Sequence, residues 1–438
     1  MEIVSLQSGY CPPASDVTIQ LPYSKSESNR VLVIDALAAR TDGRLSADWC
    51  QQLAEGNGVI ANGFKGICDD TQVMLDWLST LPQVVNIGAA GTAMRFSTAL
   101  LCVLDQETVI TGSERMKHRP IGILVEALRR LGAHIDYLEE EGFPPLRING
   151  NADMEGGEVD LPGNVSSQYI SALLMIAPTL KGGLLLHLTG DVVSKPYIDM
   201  TLQKMRLYGA KAGWTDERTI TVAPSAYHRP TVAQVERDWS AASYWYELLA
   251  LSEDQRMAIR LPGLYPNSVQ GDARISILFE QLGVKTNWTE DGICLTKTSQ
   301  VSSRFDYDFV NEPDMAQTFV VTCCMLGIPF HFVGLQSLKI KETDRIHALR
   351  VELRKLGFDV QEANDSELIW NGERTEQTQQ GAPVAIDTYD DHRMAMAFAP
   401  SVLTLGQLQV RHPEVISKSY PTFWDDFQQF VNVKRTEV

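Results

Sequence analysis

Apolar positions in this chain recur at helical spacing and stop at glycine. The first clear stretch runs over 120–132, where Ile121, Leu124, Val125, Leu128 and Leu131 fall on one helical face. Gly132 follows the last of them, where a left-handed residue can close the helix. A strand is predicted over 133–138, then the acidic turn Glu139-Glu140-Glu141-Gly142, then a second strand at Leu146-Arg147-Ile148. The same helix ending returns at Met205 to Gly209, Phe279 to Gly283 and Arg354 to Gly357, and the four glycines stand 77, 74 and 74 residues apart. A near-constant period enclosing a helix and a hairpin predicts a repeated α/β unit. Such a unit leaves faces that only neighbouring copies can bury, so copies should pack around common cores. With 438 residues the chain is too long for one such core, and two domains of about 200 residues are expected.

Six short polar segments each open an apolar-periodic helix. They begin at Ser24-Lys25-Ser26, Gly88-Ala89-Ala90-Gly91, Lys117-His118-Arg119-Pro120, Ser166-Ser167-Gln168, Lys341-Glu342-Thr343-Asp344-Arg345 and Asp390-Asp391-His392-Arg393. A helix start presents unpaired N–H groups and the positive end of the dipole, so it receives anions readily. Any one of these segments reads equally well as a capped helix with solvated charges. Six on one chain point to a site for more than one phosphate or carboxylate. Related units packed in register would aim equivalent helix starts in one direction.

Composition sharpens this picture. A net charge of −17 argues against a nucleic-acid or anionic-membrane partner and makes clustered cations a local device. The seven cysteines are odd in number and lack CxxC spacing; reduced core thiols in a cytoplasmic protein are expected, with adjacent Cys323 and Cys324 inside an apolar helix. No secretory signal is expected from Met1-Glu2-Ile3-Val4-Ser5, and no run of about 18 apolar residues predicts a membrane span.

Taken together and in order, these segments resemble the 5-enolpyruvylshikimate-3-phosphate (EPSP) synthase family, the 3-phosphoshikimate 1-carboxyvinyltransferases. Ser194-Lys195-Pro196-Tyr197, Pro313-Asp314 and Lys418-Ser419-Tyr420-Pro421 extend the resemblance over nearly the whole chain. The resemblance implies a two-domain inside-out α/β barrel of the enolpyruvyl transferase type, each domain three βαβαββ units, with the active site in the cleft between them. Residues 1–21 and 237–438 would form the phosphoenolpyruvate-side domain and 22–236 the shikimate-3-phosphate-side domain, the crossings acting as a hinge. The implied reaction moves the enolpyruvyl group of phosphoenolpyruvate onto the 5-hydroxyl of shikimate 3-phosphate through a tetrahedral intermediate and releases phosphate. No cofactor and no metal are implied. The partners are the two substrates, with glyphosate as an inhibitor because Gly91 is kept; a cytoplasmic monomer is expected.

The resemblance also implies roles, residue by residue. Lys25, Ser26 and Arg30 would bind shikimate 3-phosphate, Lys25 lying between both substrates. Ser166, Ser167, Gln168, Ser194 and Tyr197 would line the same pocket, and Ser337 and Lys341 would contact the shikimate. Arg119, Arg345, Arg393 and Lys418 would surround phosphoenolpyruvate, with Gly91 beside its phosphate where a side chain would crowd it. Asp314 would act at the reacting hydroxyl. Glu342 and Lys418, with Lys25, are candidates for proton transfer at C3, and His392 is expected to orient its neighbours rather than exchange protons.

Four places depart from the common pattern: Ala89 for Asn, Phe96 for Pro, Ser337 for Asn, and Arg237-Asp238-Trp239-Ser240 for Gly-Asp-x-Ser. Phe96 is expected to reshape the helix start that sets inhibitor affinity, and Arg237 and Trp239 to stiffen the crossing. The related transferase acting on UDP-N-acetylglucosamine typically uses a loop cysteine near the Arg119 region, and no cysteine stands between Cys102 and Cys294. A non-catalytic relative that keeps the pocket is the rival from another class; Asp314, Glu342 and Lys418 together speak against it.

Overall fold

In a computed structural model, residues 2–9, 17–55, 67–231, 235–375 and 383–437 are described. The chain divides into two compact units: unit 1 comprises Met1–Pro22 and Glu236–Val438, and unit 2 is the intervening Tyr23–Val235. The crossings thus lie one residue away from the 21/22 and 236/237 expected. Each unit has its own apolar core.

The helices at the centre of each unit are buried on every side. All 12 residues of Gly91–Cys102 are buried, as are all 7 of His392–Phe398, and Trp239–Leu251 buries all but Ser240. Helices apolar all round belong inside, whereas amphipathic ones lie at a surface. The strands do the opposite and alternate: Leu146–Asn149 reads buried, exposed, buried, exposed. Sheets with one wet face therefore form the outer layer of each unit. This is an inside-out α/β arrangement, reached because the helices rather than the strands carry the continuous apolar runs.

One sheet design is used repeatedly. In unit 2, Val84–Asn86 and Glu107–Thr111 pair in parallel, and the hairpin of His134–Tyr137 and Leu146–Asn149 adds antiparallel to the latter. Gly157–Pro162, Leu184–Thr189, Thr219–Val222 and Ala212–Trp214 repeat it. In unit 1, Phe305–Asp308, Phe330–Val333, Glu367–Trp370 and Gln361–Ala363 form a third copy. The other two sheets of unit 1 recruit the N-terminal segment. Val17–Thr18 pairs in parallel with Ala258–Pro262, and Glu2–Gln7 lies between Gln407–Arg411 and Asn432–Glu437.

The first of the expected βαβαββ copies in unit 2 is seen only in part, because residues 56–66 lie outside the described residues. The start of unit 2 carries the helices Lys25–Ala38, Ala47–Ala54 and Asp69–Thr80, but among the described residues only the two-stranded ribbon Arg40–Thr41 and Arg44–Leu45. Asp42 and Gly43 both have positive φ (48° and 79°), which closes this ribbon as a tight two-residue hairpin.

The repeated glycines all have φ between 85° and 104°. Three of them close helices through paired bonds: Gly132, Gly209 and Gly357 donate to Arg129, Arg206 and Arg354, and the following residues donate to Leu128, Met205 and Leu353. Gly283 differs from the expected helix ending. A 3-10 turn, Phe279–Gln281, precedes it, and it sits inside the strand Leu282–Trp288 at a register shift. Gly327 closes Ala316–Leu326 by the same paired bonds without belonging to the period. Six cysteines are free thiols, with Cys323 and Cys324 fully buried in that helix; Cys11 lies outside the described residues.

Candidate active site

Each polar segment opens or immediately precedes a helix. Ser24, Ser166 and Asp391 are N-caps whose side chains accept a backbone N–H; Asp344 caps Arg345–Lys355, leaving Lys341 and Glu342 in the approach. Ser194 caps Lys195–Leu207 from a left-handed conformation (φ 54°) without a side-chain bond. Asp314 sits in the 3-10 turn Pro313–Met315 that runs into Ala316–Leu326.

In unit 1 these starts converge on one charged cluster. Asp314 receives Arg345 Nη1 at 2.9 Å, Arg393 Nη2 at 3.1 Å and Lys341 Nζ at 3.3 Å. Arg345 is 1% exposed; it also donates to Asp391 Oδ2 at 2.6 Å and Glu342 Oε2 at 2.9 Å. Lys418 Nζ donates to Glu342 Oε1 at 2.7 Å. Burial works to raise the Asp314 carboxyl, but Arg393, Lys341 and Arg345 outweigh it and hold the group well below the usual carboxylate range. Burial likewise opposes the charge on Arg345, and Asp391, Glu342 and Asp314 more than restore it. His392 is buried against Asp391, with Nδ1 3.7 Å from Oδ1. Ser337 lies in the 3-10 stretch Gln336–Ile340 ahead of Lys341, and its buried Oγ has no partner among the described residues.

In unit 2 the remaining starts are joined through shared acceptors. The Pro120 carbonyl accepts from Tyr169 Oη at 2.5 Å and Arg95 Nη2 at 3.0 Å, and Gln168 Nε2 donates to Thr92 Oγ1 at 3.1 Å. This ties the helices Gly91–Cys102 and Ser167–Ile176 to the Arg119-Pro120 turn. A Cβ on Gly91 would lie 2.7 Å from Arg119 Nη1. The space at Gly91 is thus occupied by the Arg119 guanidinium. Arg119 is half-buried, and no side-chain hydrogen bond or ion pair holds its guanidinium among the described residues.

Arg30 is only 1% exposed and is held by Thr201 Oγ1 at 2.7 Å, the Ser26 carbonyl at 2.8 Å and Ser171 Oγ at 3.0 Å. Its guanidinium lies 5.2 Å from the Phe96 ring and 5.9 Å from the Tyr197 ring. Burial pulls its pKa down to about 10, with Tyr197 and Glu27 opposing. Phe96 therefore backs Arg30 with an aromatic face. Lys25 Nζ pairs with Asp70 Oδ2 at 3.1 Å.

Sequence reasoning missed Asp70, Thr92, Ser171, Thr201 and Asp272, which hold the named side chains or Ser240 in place. They lie far along the chain from their partners, and no local pattern marks them. At the crossing, Arg237 Nη1 donates to the Leu21 carbonyl at 2.8 Å and Asp238 N to the Pro22 carbonyl at 3.0 Å. Trp239 is fully buried, its Nε1 donating to Glu236 at 2.9 Å. Among the described residues no helix is long and apolar enough to cross a membrane, and no three His, Cys, Asp or Glu side chains are grouped to hold a metal ion.

The sequence model of the family described as EPSP synthase (3-phosphoshikimate 1-carboxyvinyltransferase) matches residues 14–427. A Bacteroides fragilis protein named 3-phosphoshikimate 1-carboxyvinyltransferase is 53% identical over 418 residues, covering 95% of this chain and 96% of its own length. One of the same name from Vibrio cholerae serotype O1 is 36% identical over 420 residues, covering 94% and 96%. Among solved structures, an EPSP synthase from Acinetobacter baumannii aligns over 100% of both chains with a TM-score of 0.73 at 19% identity. The enolpyruvyl transferase NikO from Streptomyces tendae aligns over 100% of this chain and 99% of its own with a TM-score of 0.68 at 12% identity. At those identities the two structures speak to the fold alone. The extent of the sequence matches decides the family: this chain belongs to the EPSP synthases.

Proposed function

We propose that this chain transfers the enolpyruvyl group of phosphoenolpyruvate to the 5-hydroxyl of shikimate 3-phosphate, releasing phosphate, and that it does so with the residues named above. The observation that carries the reading is the cluster in unit 1, where a carboxylate held by three cations adjoins a lysine–glutamate pair. Glu342 and Lys418, which share a hydrogen bond, pass a proton to C3 of phosphoenolpyruvate and take it back in this reading. Protonation at C3 makes C2 electrophilic, and the 5-hydroxyl adds there as its proton leaves toward Asp314. Loss of the C3 proton and of phosphate from the tetrahedral intermediate gives the enol ether.

Asp314 is a poor base while Arg345, Arg393 and Lys341 hold it. Phosphoenolpyruvate brings anions that compete for the same guanidinium groups, and each cation drawn away raises the basicity of Asp314. Substrate binding and base activation are then one event. Arg119, with Gly91 at its side, and Lys418 complete the cationic set for phosphoenolpyruvate. Lys25, Ser26, Arg30, Ser166, Ser167, Gln168, Ser194 and Tyr197 of unit 2, and Ser337 and Lys341 of unit 1, serve shikimate 3-phosphate. Unit 2 carries most of the shikimate-3-phosphate groups, and unit 1 carries the acid–base groups. Glyphosate inhibits by competing with phosphoenolpyruvate, and the protein works as a cytoplasmic monomer without nucleic-acid or membrane partners.

The test is phosphate release with both substrates and with each omitted in turn. Release should require both, and Asp314→Asn should lower kcat by about 10²-fold or more without raising the KM for phosphoenolpyruvate. Binding of shikimate 3-phosphate with no phosphate release would favour a non-catalytic anion-binding role instead.

A further inference from the structure

Arg393 reaches Asp314 through Nη2, and the same nitrogen donates to Ser240 Oγ at 3.3 Å. Ser240 in turn donates its own proton to Asp272 Oδ2. With that proton committed, the lone pairs of the hydroxyl are left for Arg393. Ser240 stands in the first turn of Trp239–Leu251, and Asp272 in the 3-10 turn Gly271–Arg274, so two separate elements are aligned on one guanidinium.

Asp272 is 4% exposed, and its Oδ1 has no partner among the described residues. A buried carboxylate oxygen without a partner is destabilising, and a small apolar side chain would avoid that penalty. Burial first, then the charge of Asp314 and more weakly that of Asp238, push the Asp272 carboxyl up to about 7 against the opposing pull of Arg393 and Ser240. The arrangement therefore opposes stability where it stands, beside the cluster assigned to chemistry.

We propose that Asp272 is a positioning residue for phosphoenolpyruvate: by fixing the Ser240 hydroxyl as an acceptor, it sets the Arg393 guanidinium that Asp314 and the substrate share. This rests on the assignment of Arg393 to phosphoenolpyruvate. Asp272 acts through two other side chains, so its removal should misplace a cation rather than abolish a proton transfer.

The experiment is steady-state kinetics on Asp272→Ala, Asp272→Asn, Ser240→Ala and the Asp272→Ala/Ser240→Ala double variant, with Arg393→Ala as reference. Thermal midpoints identify any variant that fails to fold; if Asp272→Ala does, Ser240→Ala and Asp272→Asn carry the test. Asp272→Ala and Ser240→Ala should each raise the KM for phosphoenolpyruvate about tenfold, the worth of one hydrogen bond, and leave that for shikimate 3-phosphate within about twofold. The double variant should be no worse than either, because both changes break one chain. Asp272→Asn, whose carbonyl still accepts the serine proton, should recover most of the loss. Effects that multiply in the double variant, or that raise both KM values equally, would overturn the proposal. So would an unchanged phosphoenolpyruvate KM in Asp272→Ala when Arg393→Ala raises it. If Arg393→Ala itself leaves that KM unchanged, the underlying assignment of Arg393 fails first.

Discussion

Gly91 shows how little room a single side chain has in this site. Its φ is unremarkable, so backbone freedom does not explain a glycine there; the neighbouring guanidinium does. An added methyl would stand 2.7 Å from Arg119 Nη1 and 2.9 Å from Nη2. The far end of an arginine can move, so Gly91→Ala should fold normally and carry its defect into binding. Arg119 would shift away from the start of Gly91–Cys102, separating a cation from the N–H groups that would hold the same anion. The expected outcome is at least an about tenfold rise in both the phosphoenolpyruvate KM and the glyphosate inhibition constant, with a smaller change in the KM for shikimate 3-phosphate. Equal kinetics for Gly91→Ala and wild type would show that Arg119 does not act from this position. Phe96 teaches the complementary lesson. It departs from the family's usual residue, yet it keeps the helix and lends Arg30 an aromatic face, so this departure supports the basic group beside it.

At the scale of elements, the helix Trp239–Leu251 carries both a functional end and a defect. Glu247 lies fully buried in it, with neither carboxylate oxygen hydrogen-bonded among the described residues. Burial holds its carboxyl well above the usual range. The folded state therefore keeps this proton while the unfolded chain releases it near pH 4.3, the usual value for glutamate. Proton uptake favours the folded state, so this group's contribution to stability falls as pH rises above about 4.3. Glu247→Gln should stabilise the protein at pH 8 by about 1–3 kcal/mol, and the gain should shrink toward pH 4. Urea unfolding across that range checks it, and a gain independent of pH would contradict the assignment. Such buried helices also mark where sequence reading stops. The surface helix Gly122–Arg130 was legible from its spacing, since Leu124, Val125 and Leu128 face inward while Ile123 and Glu126 do not. Ser167–Ile176 is buried on almost every side and has no such stripe; only its Ser166 cap marks where it begins. The charged residues proposed for the site were legible because they cluster at helix starts. Asp70, Thr201 and Asp272 were not, because their partners Lys25, Arg30 and Ser240 lie 45, 171 and 32 residues away.

Across the whole molecule, the repeat explains why the two units should differ in autonomy. Unit 2 is one continuous segment, with its own core and both of its four-stranded sheets complete within 23–235. Unit 1 is discontinuous, and the piece it takes from the N-terminus is not peripheral. Glu2–Gln7 is the inner strand that joins Gln407–Arg411 to Asn432–Glu437, and Val17–Thr18 completes the sheet of Ala258–Pro262. Without residues 1–22, two strands in one sheet would face an open gap and lose the burial of Val4 and Leu6. Unpaired strand edges invite pairing with other chains. A fragment of residues 23–235 should therefore fold alone, with a cooperative urea transition and a near-ultraviolet dichroism spectrum typical of fixed aromatic packing. A fragment of 236–438 should lack that transition and aggregate, and joining residues 1–22 to it through a short glycine-rich linker should restore both. Cooperative unfolding of 236–438 on its own would mean that the core around Trp245, Phe423 and Phe427 suffices without the central strand, and that the N-terminal segment completes the sheet after folding rather than enabling it.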